Sequence, residues 1–300
     1  MTSILIGGDA EVRAVLADPG YQVPPAPAAR EDQTGTLAWL RASVSRFCEG
    51  TAHDRRRTLA ESDIARMDPA RLRAAAARLA MAEIAGYGSD AFDVMPLARR
   101  VPLAVLGAEL GVDAEAIEGV VDAAMTAAVG YLNPDGAPAG TDDAVALLVR
   151  ELGPDHDEVT ANRIGLLMQA CDATAGLIGN SLARAFGDSA APAGGSPVGD
   201  DLDAAAVDAL VAATIKDDPP VRRTRRLRPD GEVVLVDLTG QTFAVGRRPC
   251  PGPDQATALA AGVVGALLAR CVLANPDIEY PEGGNLRLPA SLFVRARPLG

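Results

Sequence analysis

The sequence predicts a mainly α-helical fold with a small β component. Two long segments carry apolar residues at helical spacing: 162–186, with Ile164, Leu167, Met168, Leu177, Ile178 and Leu182, and 254–274, directly after a proline-flanked cysteine. Only short runs read as strands, at Ile4 to Ile6, at Val233 to Leu238 and as a strand pair within 285–297. With 300 residues and 48% hydrophobic content the chain can bury a substantial core, and no boundary divides it, so 1–300 is read as one domain.

Taken in order, Ala10 to Leu16 reads as a short helix with Val12, Val15 and Leu16 on one side. Residues 22–36 read as a loop, because Pro24, Pro25 and Pro27 deny both helix and ladder. Arg41 to Phe47 begins a helical piece. His53 and Arg57 follow four residues apart, so on a helix they share a face and can grip one anion. A core helix is expected around Leu103, Val105, Leu106 and Leu110, another at 114–131, and a loop with Pro134 and Pro138 at 132–143. Residues 187–203, rich in Gly, Ala, Asp and Ser, read as a flexible polar connection. The next helix ends in Ala213-Thr-Ile-Lys216-Asp-Asp-Pro-Pro-Val221, and an arginine run at 222–228 leads through a turn at Pro229 to Gly231 into the strand at Val233.

Composition excludes several classes. A formal charge of -12 repels nucleic acid, and no basic tail offsets it; Lys216 is the only lysine. Cys48, Cys171, Cys250 and Cys271 lie far apart with no CxxC pair, which argues against a zinc site or a disulfide scaffold and fits a reducing cytoplasm. The first residues lack the charged and apolar regions of a signal peptide. The longest apolar run, 258–269, is too short to span a bilayer, so a soluble, cytoplasmic protein is expected.

The chemistry is expected at residues 243–252, Phe-Ala-Val-Gly-Arg-Arg-Pro-Cys-Pro-Gly. A cysteine at the mouth of a helix feels the positive end of the dipole and the free amides of the first turn, so Cys250 is expected to ionise easily and to ligate iron as thiolate. The spacing of Phe243, Gly246, Arg248, Cys250 and Gly252 resembles the heme-binding loop of the cytochrome P-450 superfamily, Phe-x-x-Gly-x-(His or Arg)-x-Cys-x-Gly. Ala244 stands where that family usually has a second glycine. Three further landmarks resemble the family in the same order: His53 and Arg57, the acid-bearing helix around Asp172, and Pro219-Pro-Val221.

The resemblance implies a reduced cytochrome P-450-like fold in a shortened, divergent bacterial homologue without the family's first helix and strand and part of its sheet. It implies heme b held through Cys250 as the iron ligand, with Phe243, Gly246, Arg248 and Gly252 shaping the loop. His53, Arg57 and Arg248 would meet the propionates; the arginine run at 222–228 is either a solvated edge or functional, with Arg223 or Arg225 reaching a propionate or the run docking an acidic electron donor. Asp172 is the implied distal proton carrier, with Thr174 as a displaced alcohol, because Ala173 occupies the usual threonine position. Ala213 and Lys216 replace the family's Glu and Arg pair.

The implied function is a heme-thiolate oxidoreductase, monooxygenase-like or peroxide-using, that oxidises or rearranges a small metabolite in a bacterial biosynthetic pathway. Its partners would be that small molecule and a ferredoxin-type electron donor or a partner biosynthetic enzyme. The alternative is a non-catalytic auxiliary protein of the same family that activates a partner such as a glycosyltransferase.

Overall fold

The computed structural model describes residues 4–153, 155–187, 203–282 and 284–297. Among them, helices build the body and two small sheets flank it. After β1 (Leu5–Ile6) come α1 (Asp9–Ala17) and α2 (Leu37–Ser43); the Thr36 hydroxyl accepts the Trp39 amide, which sets the start of α2 at Leu37 rather than at Arg41. A single 3-10 turn at Ser45–Phe47 leads into α3 (Gly50–Ile64). α4 (Pro69–Gly86) is an alanine-rich helix whose faces contrast little, so no apolar periodicity marks it in the sequence; it begins with Pro69 under an Asp68 cap.

Next come β2 (Ala91–Asp93), α5 (Val94–Glu109) and α6 (Ile117–Leu132). The loop expected at 132–143 is shorter than its range: it contains a 3-10 turn at Pro134–Gly136 and yields at Thr141 to α7 (Thr141–Leu152), a second unanticipated helix. The loop at 22–36 likewise holds a 3-10 turn, Glu31–Gln33. α8 (Glu158–Gly187) runs for 30 residues through the middle, packed by α3, α5, α6 and α7, with Ile164, Leu167, Ile178 and Leu182 fully buried. Each such side chain contributes about 1.5–3 kcal/mol relative to exposure. The polar connection expected at 187–203 falls, from 188 to 202, outside the described residues.

The chain continues with α9 (Ala204–Asp217), β3 (Arg223–Leu227), β4 (Val233–Asp237) and α10 (Pro253–Arg270). α9 and α10 also pack on α8, and α10 lies along α4. There Gly262 is required, because a Cβ would stand 2.4 Å from the Arg73 carbonyl oxygen. The helix expected to run to 274 stops at Arg270, since β5 (Cys271–Leu273) pairs with β6 (Phe293–Ala296). The terminal strand pair expected within 285–297 is therefore one strand, β6, whose partners β2 and β5 come from distant parts of the chain.

The other sheet has the order β1-β4-β3, with β1 parallel and β3 antiparallel to β4. It closes a small core of Ile6, Val12, Val15, Leu16, Val234, Val236 and Leu238, against which Ala244 and Val245 rest. The cysteine loop thus hangs from this sheet and ends at the main helical core.

Candidate functional site: the Cys250 loop and its surroundings

Only a few residues separate β4 from the cysteine loop, and the backbone uses them for successive turns. Gln241 donates to the Leu238 carbonyl and Ala244 to that of Gln241, at 2.8 and 2.7 Å. The Cys250 amide then closes the loop on the Phe243 carbonyl at 2.7 Å. Gly246 sits at φ +75°, and a Cβ there would approach the Leu16 carbonyl oxygen to 2.5 Å while Arg247 N donates to that same oxygen. Only glycine fits. Ala244 also adopts a left-handed conformation, φ +56°, so the alanine is accommodated at a position where glycine would be unstrained.

Cys250 is half-buried, two residues ahead of the Gly252 cap of α10, and the Gly252 amide reaches its sulfur. The expectation of easy ionisation is corrected. Burial pushes the Cys250 thiol up, and this outweighs the Gly252 amide and the positive charge of Arg57, which both pull down. A metal that binds this sulfur must displace its proton.

α3 supplies the cations near the thiol. Arg55 and Arg56 both grip Glu158 at the start of α8, at 2.7 and 2.8 Å, and Arg163 of α8 meets buried Asp63 at 3.3 Å. Those contacts fix the rotation of α3 so that His53 and Arg57, four residues apart, both turn inward, as the spacing predicts. Arg57 pairs with Glu61 at 2.6 Å and His53 Nδ1 lies 3.1 Å from Asp54. Arg248 reaches the Ser45 and Cys48 carbonyls and pairs with Glu49 at 2.9 Å. Glu49 also accepts from the Val23 amide at 2.8 Å and stands 3.6 Å from Arg247, so one carboxylate ties the cysteine loop to the first loop of the chain.

The arginine run divides by exposure. Arg223 is exposed, as is Arg225, whereas Arg226 is only 6% exposed. Arg226 lies across from Val234 and Thr224 across from Val236, so both share the inner face of the sheet with those buried valines. Val233-Val-Leu-Val is apolar at every position, which hides from the sequence which parity faces in. Burial pushes the Arg226 guanidinium down to about 10, with the Arg248 charge adding to the effect. Among the described residues Arg226 has no carboxylate within 4.0 Å, and neither has Arg46 or Arg41.

On α8, Asp172 is half-buried and pairs with Arg99 of α5 at 2.8 Å. Thr174 is buried, and two helical positions, about 200° of rotation, separate it from Asp172. The structure does not bring acid and alcohol onto one face of α8. Just beyond Ala213 and Lys216, Asp218 accepts from Arg222 and, at 2.9 Å, from Arg287. All four cysteines are free thiols, and Cys171, beside Asp172, is pushed up to about 12 by burial. Among the described residues, no three His, Cys, Asp or Glu side chains gather as for a bare metal ion. No helix there is long and apolar enough to cross a membrane.

No protein-family model matches the chain, and no curated protein matches it in sequence. Solved structures do. P450BioI in complex with an acyl carrier protein ligated to hexadec-9Z-enoic acid superposes with TM-score 0.74 at 15% identity, over 98% of this chain and 92% of that one. Cytochrome P450 CYP109Q5 from Chondromyces apiculatus gives 0.71 at 18%, over 97% and 89%. The ligand-free P450 monooxygenase TamI gives 0.67 at 21%, over 97% and 83%.

Proposed function

We propose, for a chain that has the cytochrome P450 fold, that it is a heme-thiolate oxidoreductase acting on a small molecule, with Cys250 as the iron ligand. The observation that carries this reading is the loop itself: a half-buried thiol that receives the Gly252 amide, in a turn closed by the Phe243 carbonyl and feeling Arg57.

The donor set fits heme better than a bare ion. A single thiol without a second cluster of ligands suits a metal whose other ligands come from a macrocycle. The inward guanidinium groups of Arg57 and Arg248, joined by buried Arg226 and by the His53 ring as a hydrogen-bonding neighbour, fit the two carboxylates of protoporphyrin IX. Arg57 and Arg248 would leave Glu61 and Glu49 to do so, while Arg226 has no carboxylate to leave. Phe243, Gly246 and Gly252 shape the turn that presents the sulfur.

Bound through a thiolate, heme supplies the electron push that favours O–O cleavage of dioxygen or peroxide. The chain's own part is positioning and proton supply. Asp172 would move a proton at its carboxylate, and to do so it must part from Arg99. Thr174, buried about 200° around α8 from Asp172, would act from a separate face of the helix. The cytoplasm is the proposed location, and a ferredoxin-type protein the proposed electron donor.

Turnover tests the reading. The heme-loaded chain, given peroxide or reductant and oxygen, is expected to oxidise a small apolar substrate, and Asp172→Asn to slow this without loss of heme. Equal rates remove Asp172 from the mechanism. Absence of turnover in a fully loaded chain with every oxidant overturns the oxidoreductase reading.

A further inference from the structure

Residues of the loops at 22–36 and 132–143, with α2 and the start of α7, line an open cleft of about 710 Å³. Its walls are mostly small and apolar: Ala26, Pro27, Leu37, Ala38, Ala137 and Pro138. Two cations reach it. Arg30 is exposed and already held by Asp32 through two hydrogen bonds, at 3.0 and 3.1 Å. Arg41 is half-buried, stacks 4.1 Å over the Phe47 ring and donates to the Tyr131 carbonyl, yet has no carboxylate within 4.0 Å among the described residues.

No acid on the walls pairs with it. Asp142 is committed to the Leu37 amide at 2.9 Å, Asp143 is exposed, and exposed Asp135, the acid whose charge Arg41 feels, stays outside ion-pair distance. Solvent screens such exposed charges far more than it screens a half-buried one. Arg46 and Arg225 add further positive charge around Arg41. The walls carry two arginines against three aspartates, so Arg41 stands out not by net charge but as a half-buried cation without an ion pair among the described residues. A half-buried, uncompensated guanidinium is costly unless an anion meets it, and its planar fork matches a carboxylate.

We propose that Arg41 is a specificity-determining residue that binds the carboxylate of an apolar organic acid lodged in the cleft between the two loops. This rests on the reading of the chain as an enzyme for a small molecule and names the class of that molecule. The apolar tail would lie along Leu37, Ala38, Ala137 and Pro138, and the carboxylate would take a bidentate hydrogen bond from the guanidinium while Phe47 holds its plane.

Calorimetric titration with octanoate, octanamide and 1-octanol tests this in the heme-free and heme-loaded protein. The wild type is expected to bind octanoate at least about tenfold tighter than octanamide, a difference of about 1.4 kcal/mol, and added salt to erase the preference. Arg41→Gln should equalise the two ligands, Arg41→Lys should keep part of the preference, and Arg30→Gln should leave it intact. Equal affinities in the wild type, no binding of octanoate, or a preference that survives in Arg41→Gln would overturn the proposal, and the wild-type comparison holds even if a variant fails to fold. Carboxylate selectivity in a chain that takes up no heme leaves the Arg41 site standing and removes the heme reading. Heme uptake without selectivity does the reverse.

Discussion

The turn around Cys250 is fixed by backbone groups that are near neighbours or come from α1, whereas the stretch of α8 around Asp172 takes its environment from side chains on other elements. Cys250 N to Phe243 O, Ala244 N to Gln241 O and Arg247 N to Leu16 O set the turn of the first region through backbone, while the Gln241, Thr242 and Arg248 side chains tie it to its surroundings. Asp172 meets Arg99, which lies 73 residues away, and Thr174 points elsewhere. A loop made by its own backbone keeps its shape when the surrounding sequence drifts. An environment made by paired side chains depends on every partner, and here it rests on the pair of Arg99 and Asp172.

Gly246→Ala should break the first region most severely. The added methyl would be placed 2.5 Å from the Leu16 carbonyl at φ +75°, and the strain and overpacking together should cost about 3 kcal/mol, read from urea unfolding. A change under about 1 kcal/mol would mean that the loop rearranges freely, and the contrast with α8 would fall.

Asp172→Asn probes the second region, with an expected loss of turnover of about a hundredfold and an unchanged melting curve. A large drop in stability instead would make the pair with Arg99 a structural strut rather than a proton gate.

The anchor of α3 on α8 joins the two regions and titrates. Arg55 and then Arg56 hold the Glu158 carboxyl down to about 2, against burial, from an ordinary 4.5. Because the folded value is the lower one, the anchor's stabilisation is complete above pH 4.5 and is lost as pH falls toward 2. The unfolding free energy of the wild type should fall across that window by about 1 kcal/mol more than that of Glu158→Gln, after allowance for partial exposure. Parallel curves would show that Glu158 does not orient α3.

Ala244→Gly gives the smallest effect. Relief of the left-handed alanine should exceed the added chain entropy by about 0.5 kcal/mol in favour of the folded protein. A loss of stability would mean that the Ala244 methyl contributes more through its packing on the small sheet core than its backbone costs.

What the sequence makes legible follows the same division. Phe243, Gly246, Cys250 and Gly252 act through local backbone geometry, so their spacing alone announces the loop, and α8, α5 and α10 announce themselves by apolar periodicity. His53 and Arg57 are legible because a helix fixes their common face. Arg226 is hidden because its strand partner is apolar on both faces, and α4 because alanine gives little contrast. Glu49, Arg99 and Arg41 are hidden for another reason: their partners lie far off in sequence or, for Arg41, within a cleft that forms only when two distant loops meet. The ionisation of Cys250 is misjudged from sequence because the helix terminus is visible there and the burial is not.

Under the proposal, the Cys250 loop holds heme iron through sulfur. The absorbance spectrum of the heme-loaded protein, reduced and exposed to carbon monoxide, tests it directly, alongside Cys250→Ser. A strongly red-shifted Soret band in the wild type that vanishes in the variant is the expected result. A colourless protein that refuses added heme, or a band that persists in Cys250→Ser, would contradict it.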